Sequence, residues 1–372
     1  MPEEQDNPDV SPADPESPRA AMAGGLTYAD SGVDIDAGEE AVRRIKPMVE
    51  STYIPGVLGS LGGFAALYQM PDHLKEPVLV TATDGVGTKL LVAQAMQRLG
   101  TIGIDLVAMS VNDVLTVGAR PILFLDYVAT GKLVPGEIAD IVKGVADGCR
   151  QAGCALVGGE MAEMPGLYRG SDFDLAGFCV AVAEKQKLID GAGIEEGDTV
   201  VGLASSGLHS NGFSLARRVF GDNQCRFQDK FPRFGETIGS TLLEPTRIYV
   251  RSVFTLLDLG VPVRGMAHVT GGGIGGNLSR VIPAGLCATL DFQGWRVPRL
   301  FRVIQDLGGV EEAEMFRTFN MGVGYILVLP QDACEYALKL LRRAGEEPMV
   351  LGEVTKSPGG AGGPRVTLEG VF

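Results

Sequence analysis

Short runs of β-branched and apolar residues recur along this chain, each stopping at a loop rich in glycine or acids and most followed by a stretch of helical periodicity. That alternation restricts the chain to layered α/β architectures. The segments 77–84 (PVLVTATD), 121–130 (PILFLDYVAT), 154–160 (CALVGGE), 172–185 (DFDLAGFCVAVAEK), 198–204 (DTVVGLA) and FNMGVGYILVLP within 315–330 read as strands. Helical spacing marks 88–99, 102–118, 137–153, FSLARRVF, 246–260 and 331–345. A short helix starting at Asp36 or Gly38 carries Ala41, Val42, Ile45 and Met48 on one side. Segments 154–160 and 172–185 are strands in succession, so the expected class is α/β with mixed, α+β-like sheets. The polar stretch 184–198 (EKQKLIDGAGIEEGD) divides an N-terminal domain, 25–190, from a C-terminal domain, 191–372.

Composition narrows the function classes. A net charge of −14 argues against a nucleic-acid partner, which calls for a basic face. It does not exclude a phosphorylated substrate, because local cations outweigh global charge. The six cysteines include no C-x-x-C pair, so they read as reduced core residues of a cytosolic protein rather than a zinc site. No apolar run approaches the roughly 18 residues a membrane helix needs. Residues 1–20 hold six acids, one Arg and five prolines, and lack the apolar stretch of a signal peptide. Residues 1–24 are expected to form a disordered tail that activity does not require, since they cannot bury enough surface to offset ordering entropy.

Five segments carry chemistry. Asp84-Gly85-Val86-Gly87-Thr88-Lys89 joins a strand to a helix. Its glycines let backbone N–H groups approach an anion, Asp84 suits Mg²⁺ and Lys89 suits a phosphate oxygen. An ordinary Asp-Gly turn is the alternative, and the P-loop spacing is absent. Asn112-Asp113 interrupts an apolar helix, seven residues after Asp105 for Asn112; a buried carboxylate calls for a partner or a metal, whereas an exposed polar face does not. Gly158-Gly159-Glu160 ends a strand, where the glycines would admit Glu160 to a crevice or merely form a turn. Ser206-Gly207-Leu208-His209-Ser210-Asn211 offers hydroxyls, amides and a helix start to a phosphate or ribose, or simply caps that helix. His268 leads Gly271-Gly272-Gly273, a literal G-x-G-x-x-G through Gly276 that lies too deep in the second half to open a dinucleotide fold. A glycine loop facing phosphate or substrate is the simpler reading.

In this order, YADSGVDIDAGE, TDGVGTKL, TIGIDLVAMSVNDVL, FLDYVATGKL, LVGGEMAEMPGLY, SSGLHSNGFSLAR, PTRIY, AHVTGGG and RTFNMGVG resemble the conserved blocks of the AIR synthetase family, the phosphoribosylformylglycinamidine cyclo-ligases. The resemblance covers nearly everything after the tail. Selenophosphate synthetase, thiamine-monophosphate kinase, a hydrogenase maturation factor and formylglycinamidine ribonucleotide amidotransferase share parts of the pattern. The absence of any Cys before Cys149 disfavours the first, and the Val371-Phe372 end disfavours the maturation factor, which ends in a modifiable Cys.

The resemblance implies two α/β domains and a homodimer paired through the first domain's sheet. It implies ATP-dependent ring closure of formylglycinamidine ribonucleotide (FGAM) to aminoimidazole ribonucleotide (AIR), with release of ADP and phosphate. Mg²⁺ is the expected cation, with K⁺ a candidate second one. The site expectations that follow are Asp84, Asp113 and Glu160 for metal, and Gly85, Gly87, Thr88, Lys89, Asn112, Gly271, Gly272 and Gly273 for ATP or phosphate. Ser206, Gly207, Ser210 and Asn211 are expected to bind substrate, and Lys89 and His268 to be catalytic. The competing function is another phosphoryl-transfer enzyme of the same superfamily.

Overall fold

The computed structural model describes residues 27–59 and 61–370. The expected tail, 1–24, lies outside the described residues. In chain order the elements are α1 (Ile35–Glu50), β1 (Val57–Leu58), β2 (Leu67–Tyr68), β3 (Pro77–Gly85), α2 (Lys89–Met96), α3 (Ile102–Leu115), β4 (Arg120–Thr130), α4 (Pro135–Ala152), β5 (Ala155–Glu163) and β6 (Phe173–Glu184). The second half adds β7 (Thr199–Ala204), α5 (Phe213–Asp222), α6 (Ile238–Leu242), α7 (Val250–Asp258), β8 (Gly265–His268), α8 (Gly273–Leu278), β9 (Leu286–Asp291), α9 (Arg299–Gly308), α10 (Glu312–Thr318), β10 (Val323–Leu329), α11 (Gln331–Arg343), β11 (Pro348–Lys356) and β12 (Val366–Glu369).

Two larger sheets result. The first half forms a four-stranded sheet in the order β3-β6-β4-β5, and the second a six-stranded sheet in the order β12-β9-β11-β7-β10-β8. Both are mixed: β4 and β5 run parallel while β6 is antiparallel to β3 and β4, and β12 joins β9 in parallel.

Local chemistry explains the boundaries. Asp34, not Asp36 or Gly38, caps α1, accepting a hydrogen bond from the Ala37 N–H. Helix α4 opens on Pro135 and stops at Gly153 in the left-handed region. The helix expected over 246–260 is shorter, because Thr246 and Arg247 are held in an extended segment by hydrogen bonds to α3 and the Ser206–His209 loop.

One face of the four-stranded sheet packs on α1, α3 and α4. Phe124, Val128, Leu175, Cys179 and Ala181 point that way and are buried. The other face stays open, with Leu79 and Phe178 exposed and Leu123, Leu125 and Tyr127 half-buried.

Candidate active site

The seam between the halves is built by α3. Its apolar residues bury it on several sides, and two of its buried polar side chains, Asp105 and Asn112, reach segment 244–249. Asp105 Oδ1 accepts from the Thr246 N–H at 2.7 Å, from Thr246 Oγ1 at 2.6 Å and from Lys89 Nζ at 2.9 Å. Asn112 donates from Nδ2 to the Arg247 carbonyl at 2.8 Å and accepts from the Tyr249 N–H at 3.0 Å. The shared stripe expected from their spacing is therefore an interdomain clasp.

Two sequence-based site expectations need correction here. Lys89 is fully buried, and Nζ also donates to the carbonyls of His209 (3.1 Å) and Glu244 (2.7 Å). An ammonium has three N–H bonds, so no donor is left for a phosphate. Burial holds its pKa below the ordinary lysine value, with Asp105 opposing that shift. Asn112 likewise has both ends engaged by the backbone and is fully buried, away from the cleft surface.

Asp113, one residue further along α3, faces the opposite way, into a cleft. It stands beside His268 at the end of β8, with Nδ1 and Oδ1 at 2.8 Å. A carboxylate only accepts, so Nδ1 carries the proton and Nε2 presents its lone pair. Nε2 is buried and has no hydrogen-bond partner among the described residues. Asp84, at the end of β3, completes the group. Burial raises its pKa, the Asp113 charge adds to this, and the Gly85 N–H and His268 oppose it.

Two adjoining hollows share Thr270. One, of about 400 Å³, includes Asp113, His268, Asn277 and Arg280 in its wall. The other, of about 630 Å³, is walled by Asp84, Gly85, Gly87, Asp174, Ser210 and Asn211 among others. Gly87 takes φ +68°, in the left-handed region that glycine enters freely, as the chain turns into α2. Thr88 Oγ1 lies 3.1 Å from Ser214 Oγ and bridges the two halves at the rim.

Of the substrate loop, Ser210 and Asn211 line the cleft. Asn211 Oδ1 accepts from the Gly271 N–H at 3.0 Å, while its buried Nδ2 has no partner among the described residues. Ser206 and Gly207 do not line it. Ser206 Oγ donates to the Pro245 carbonyl, and the Gly207 carbonyl accepts from Ser205 and Asn320. Gly272 and Gly273 both have positive φ, and a side chain on Gly273 would collide with the Phe316 carbonyl, so the triple glycine shapes a tight turn behind Thr270.

Sequence reasoning passed over His209. It is buried in the left-handed region at φ 60°, and Nε2 accepts from the Ser206 N–H at 3.2 Å. Burial pushes its pKa well down, helped by His268, Lys89 and Arg247, so it stays neutral and pins the loop. A positive φ on a histidine leaves no mark in a sequence.

Glu160 also needs correction. Strand register places it beside Tyr127, Ala176 and Gly85 in one row across the sheet, on the open face, whereas Asp84 pairs with Gly177 on the helix face. Three strand spacings, about 14 Å, separate Glu160 from β3. Among the described residues no group of three or more His, Cys, Asp or Glu is placed to hold a metal ion.

The comparisons with known proteins bear on what this cleft serves. Residues 62–183 match the family described as AIR synthase related protein, N-terminal domain, and residues 195–363 its C-terminal domain. A phosphoribosylformylglycinamidine cyclo-ligase of Sorangium cellulosum is 55% identical over 331 residues, 88% of this chain and 95% of the relative. One from Caldanaerobacter subterraneus is 51% identical, covering 90% and 99% respectively.

The chain belongs to the phosphoribosylformylglycinamidine cyclo-ligase family.

Solved structures share the fold of this cyclo-ligase family member at much lower identity. Thiamine-monophosphate kinase from Stenotrophomonas maltophilia aligns with TM-score 0.63 and 16% identity over 89% of this chain and 96% of that one. Hydrogenase maturation protein HypE in complex with ATP aligns with TM-score 0.62 and 18% identity over 93% and 92%. No helix among the described residues is long and apolar enough to cross a membrane.

Proposed function

We propose that this chain closes the imidazole ring of the purine skeleton, converting FGAM and ATP to AIR, ADP and phosphate. The observation that carries the reading is the 55% identity to a cyclo-ligase across 95% of that relative's length. The Asp84, Asp113, His268 and Asn211 cleft supports it.

An amide oxygen is a poor leaving group. Phosphorylating it gives an iminophosphate that an amidine nitrogen of the same molecule attacks. The step is intramolecular, so fixed geometry supplies much of the rate, with effective molarities of roughly 10⁵ M or more. The protein's tasks are positioning and charge neutralisation.

Each side chain then has a task. Asn211 Nδ2, a buried donor without a partner, and Ser210 hold the ribose phosphate end of the substrate. The Gly85–Thr88 turn brings backbone N–H groups to the transferring phosphoryl group. His268 accepts the amidine proton at Nε2, while Asp113 holds the ring in the required tautomer. Lys89 serves by fixing the Ser206–Asn211 loop to α3.

Mg²⁺ fits Asp84 and Asp113. The Asp113 charge adds to the cost of ionising Asp84, a situation that suits a cation, and Mg²⁺ is commonly held by one or two carboxylates completed by water and phosphate oxygens. When bound it would neutralise charge on the triphosphate. Glu160 leaves this set and stands on the open face of the sheet.

The domain division at 190/191 keeps Asp84 and Asp113 in the first domain and Ser210, Asn211 and His268 in the second. The open face, with exposed Leu79 and Phe178, is the surface a second copy of the chain would cover to give a homodimer. The reading places the enzyme in the cytoplasm, in keeping with six free cysteines.

Incubation with FGAM and Mg-ATP should yield AIR with one ADP and one phosphate per turnover. Accumulation of a stable phosphorylated product without free phosphate would favour a kinase of the same superfamily instead.

A further inference from the structure

The walls of the cleft are poor in positive charge, although the reaction that suits it discharges a phosphate. The hollow beside the Gly85–Thr88 turn has Asp84 and Asp174 in its wall and no lysine or arginine. Lys89 has its three N–H bonds engaged elsewhere. The hollow that holds Asp113 and His268 has one guanidinium in its wall, that of Arg280. Among the described residues that wall the two hollows, Arg280 is thus the only lysine or arginine.

Its side chain is exposed and makes no hydrogen bond or ion pair with a described residue. Neighbouring arginines are engaged: Arg264 pairs with Glu195 and Asp198, and Arg365 Nη1 donates to the Ser279 carbonyl at 3.3 Å. The backbone that carries Arg280 is held on both sides. Before it, the buried Asn277 donates from Nδ2 to the Gly273 carbonyl at 2.8 Å, which ties the end of α8 to the glycine turn. After it, the Val281 carbonyl lies so close to Gly191 that any side chain at Gly191 would collide with it. The stem of Arg280 is therefore fixed while its head is free for a ligand.

We infer that Arg280 binds the phosphate discharged in ring closure and stabilises it as it leaves, an inference that rests on the cyclo-ligase reading above. In the closing step an amidine nitrogen bonds to the carbon that carries the phosphorylated oxygen. The bond between that carbon and the oxygen then breaks, and its electron pair stays on the oxygen. Inorganic phosphate departs, and the proton of the attacking nitrogen passes to His268 Nε2. Negative charge grows on the phosphate as the bond lengthens. A guanidinium meets such an oxyanion with two parallel N–H donors. His268 is only 4% exposed and Arg280 is exposed, so the hollow between them leads from the buried reacting end to solvent. The substrate's own 5′-phosphate is the other dianion that a guanidinium here could meet, and the assay separates the two.

Arg280→Ala and Arg280→Lys are made in the full chain. AIR formation is followed in a single turnover at saturating FGAM and Mg-ATP, with KM values and inhibition by inorganic phosphate measured in steady state. Arg280→Ala should slow the single turnover by roughly 100-fold or more, the cost of removing a donor aimed at developing charge, and leave both KM values nearly unchanged. Inhibition by phosphate should weaken by roughly 10- to 100-fold, as expected for lost hydrogen bonds to a charged group. Added guanidinium ion should restore part of the Arg280→Ala rate, which a merely structural role would not allow. Arg280→Lys keeps the charge without the fork and should fall between. A raised KM for FGAM with an unchanged single-turnover rate would overturn the inference and assign Arg280 to the substrate's own phosphate. Phosphate inhibition as strong in Arg280→Ala as in wild type would overturn it as well. Failure of wild type to form AIR from FGAM and Mg-ATP would instead defeat the functional reading itself.

Discussion

Replacing Asp126 by Asn should make the ligand-free protein more stable at alkaline pH and leave it nearly unchanged in acid. The Asp126 carboxyl has its ordinary value of 3.8 in the unfolded chain and is raised to about 7 by burial in the folded one. Between those values the folded state binds the proton and the unfolded state does not, so stability falls as pH rises through this window. Each pH unit costs about 1.4 kcal/mol. The interval is about three units, which gives an upper bound of about 4 kcal/mol lost by pH 7 and no further loss above it. Water reaching the carboxyl lowers that figure. The neighbouring groups do not reproduce the slope: the Cys149 thiol is itself pushed well above its ordinary value and stays neutral throughout. Asparagine cannot ionise, so the gap between variant and wild type should open from near zero at pH 4.5 to several kcal/mol at pH 8. Denaturant midpoints measured across that range without nucleotide provide the assay. Curves for the two proteins that stay parallel from pH 4.5 to 8.5 would refute the argument, because they would mean that the buried carboxyl does not cross an ionisation in this range.

Other consequences can be checked separately. Lys89→Met should cost about 3–5 kcal/mol of stability, since it strands the buried Asp105 carboxylate; loss of turnover at an unchanged unfolding midpoint would return Lys89 to the phosphate. Asp84→Asn and Asp113→Asn should each reduce turnover by orders of magnitude with partial rescue by added Mg²⁺, and Mg²⁺ titrations identical to wild type for both would exclude the metal reading. Phe178→Glu, on the open sheet face, should shift sedimentation from twice the chain mass toward one chain mass at micromolar concentration, and an unchanged dimer would place the interface elsewhere.

The layered α/β class, most of the strands and the glycine turns were legible in the sequence because they are local. Pro77, Asp84-Gly85 and Gly153 punctuate the chain by backbone conformation, and period-3.6 patterns expose the core side of helices such as α4. Strands β9, β11 and β12 were missed because they come together only across long intervals, β9 pairing with both β11 and β12. The seven-residue spacing of Asp105 and Asn112 put both on one helix stripe, and both are buried there. What their partners were depended on segment 244–249 arriving from more than 130 residues away. The same holds for Lys89. Its place after a glycine turn gives the local pattern of a phosphate ligand, yet Asp105 of α3 and two carbonyls from the second half of the chain surround its ammonium. Glu160 and Asp84 show the limit from the other side, since both lie beside glycines in strands but strand order and register place them on opposite faces. Sequence by itself determined which groups can do chemistry and the local geometry of the loops that carry them. Tertiary structure alone decided which of those groups are free to act, because a hydrogen bond or ion pair depends on distances that chain folding sets and residue type does not.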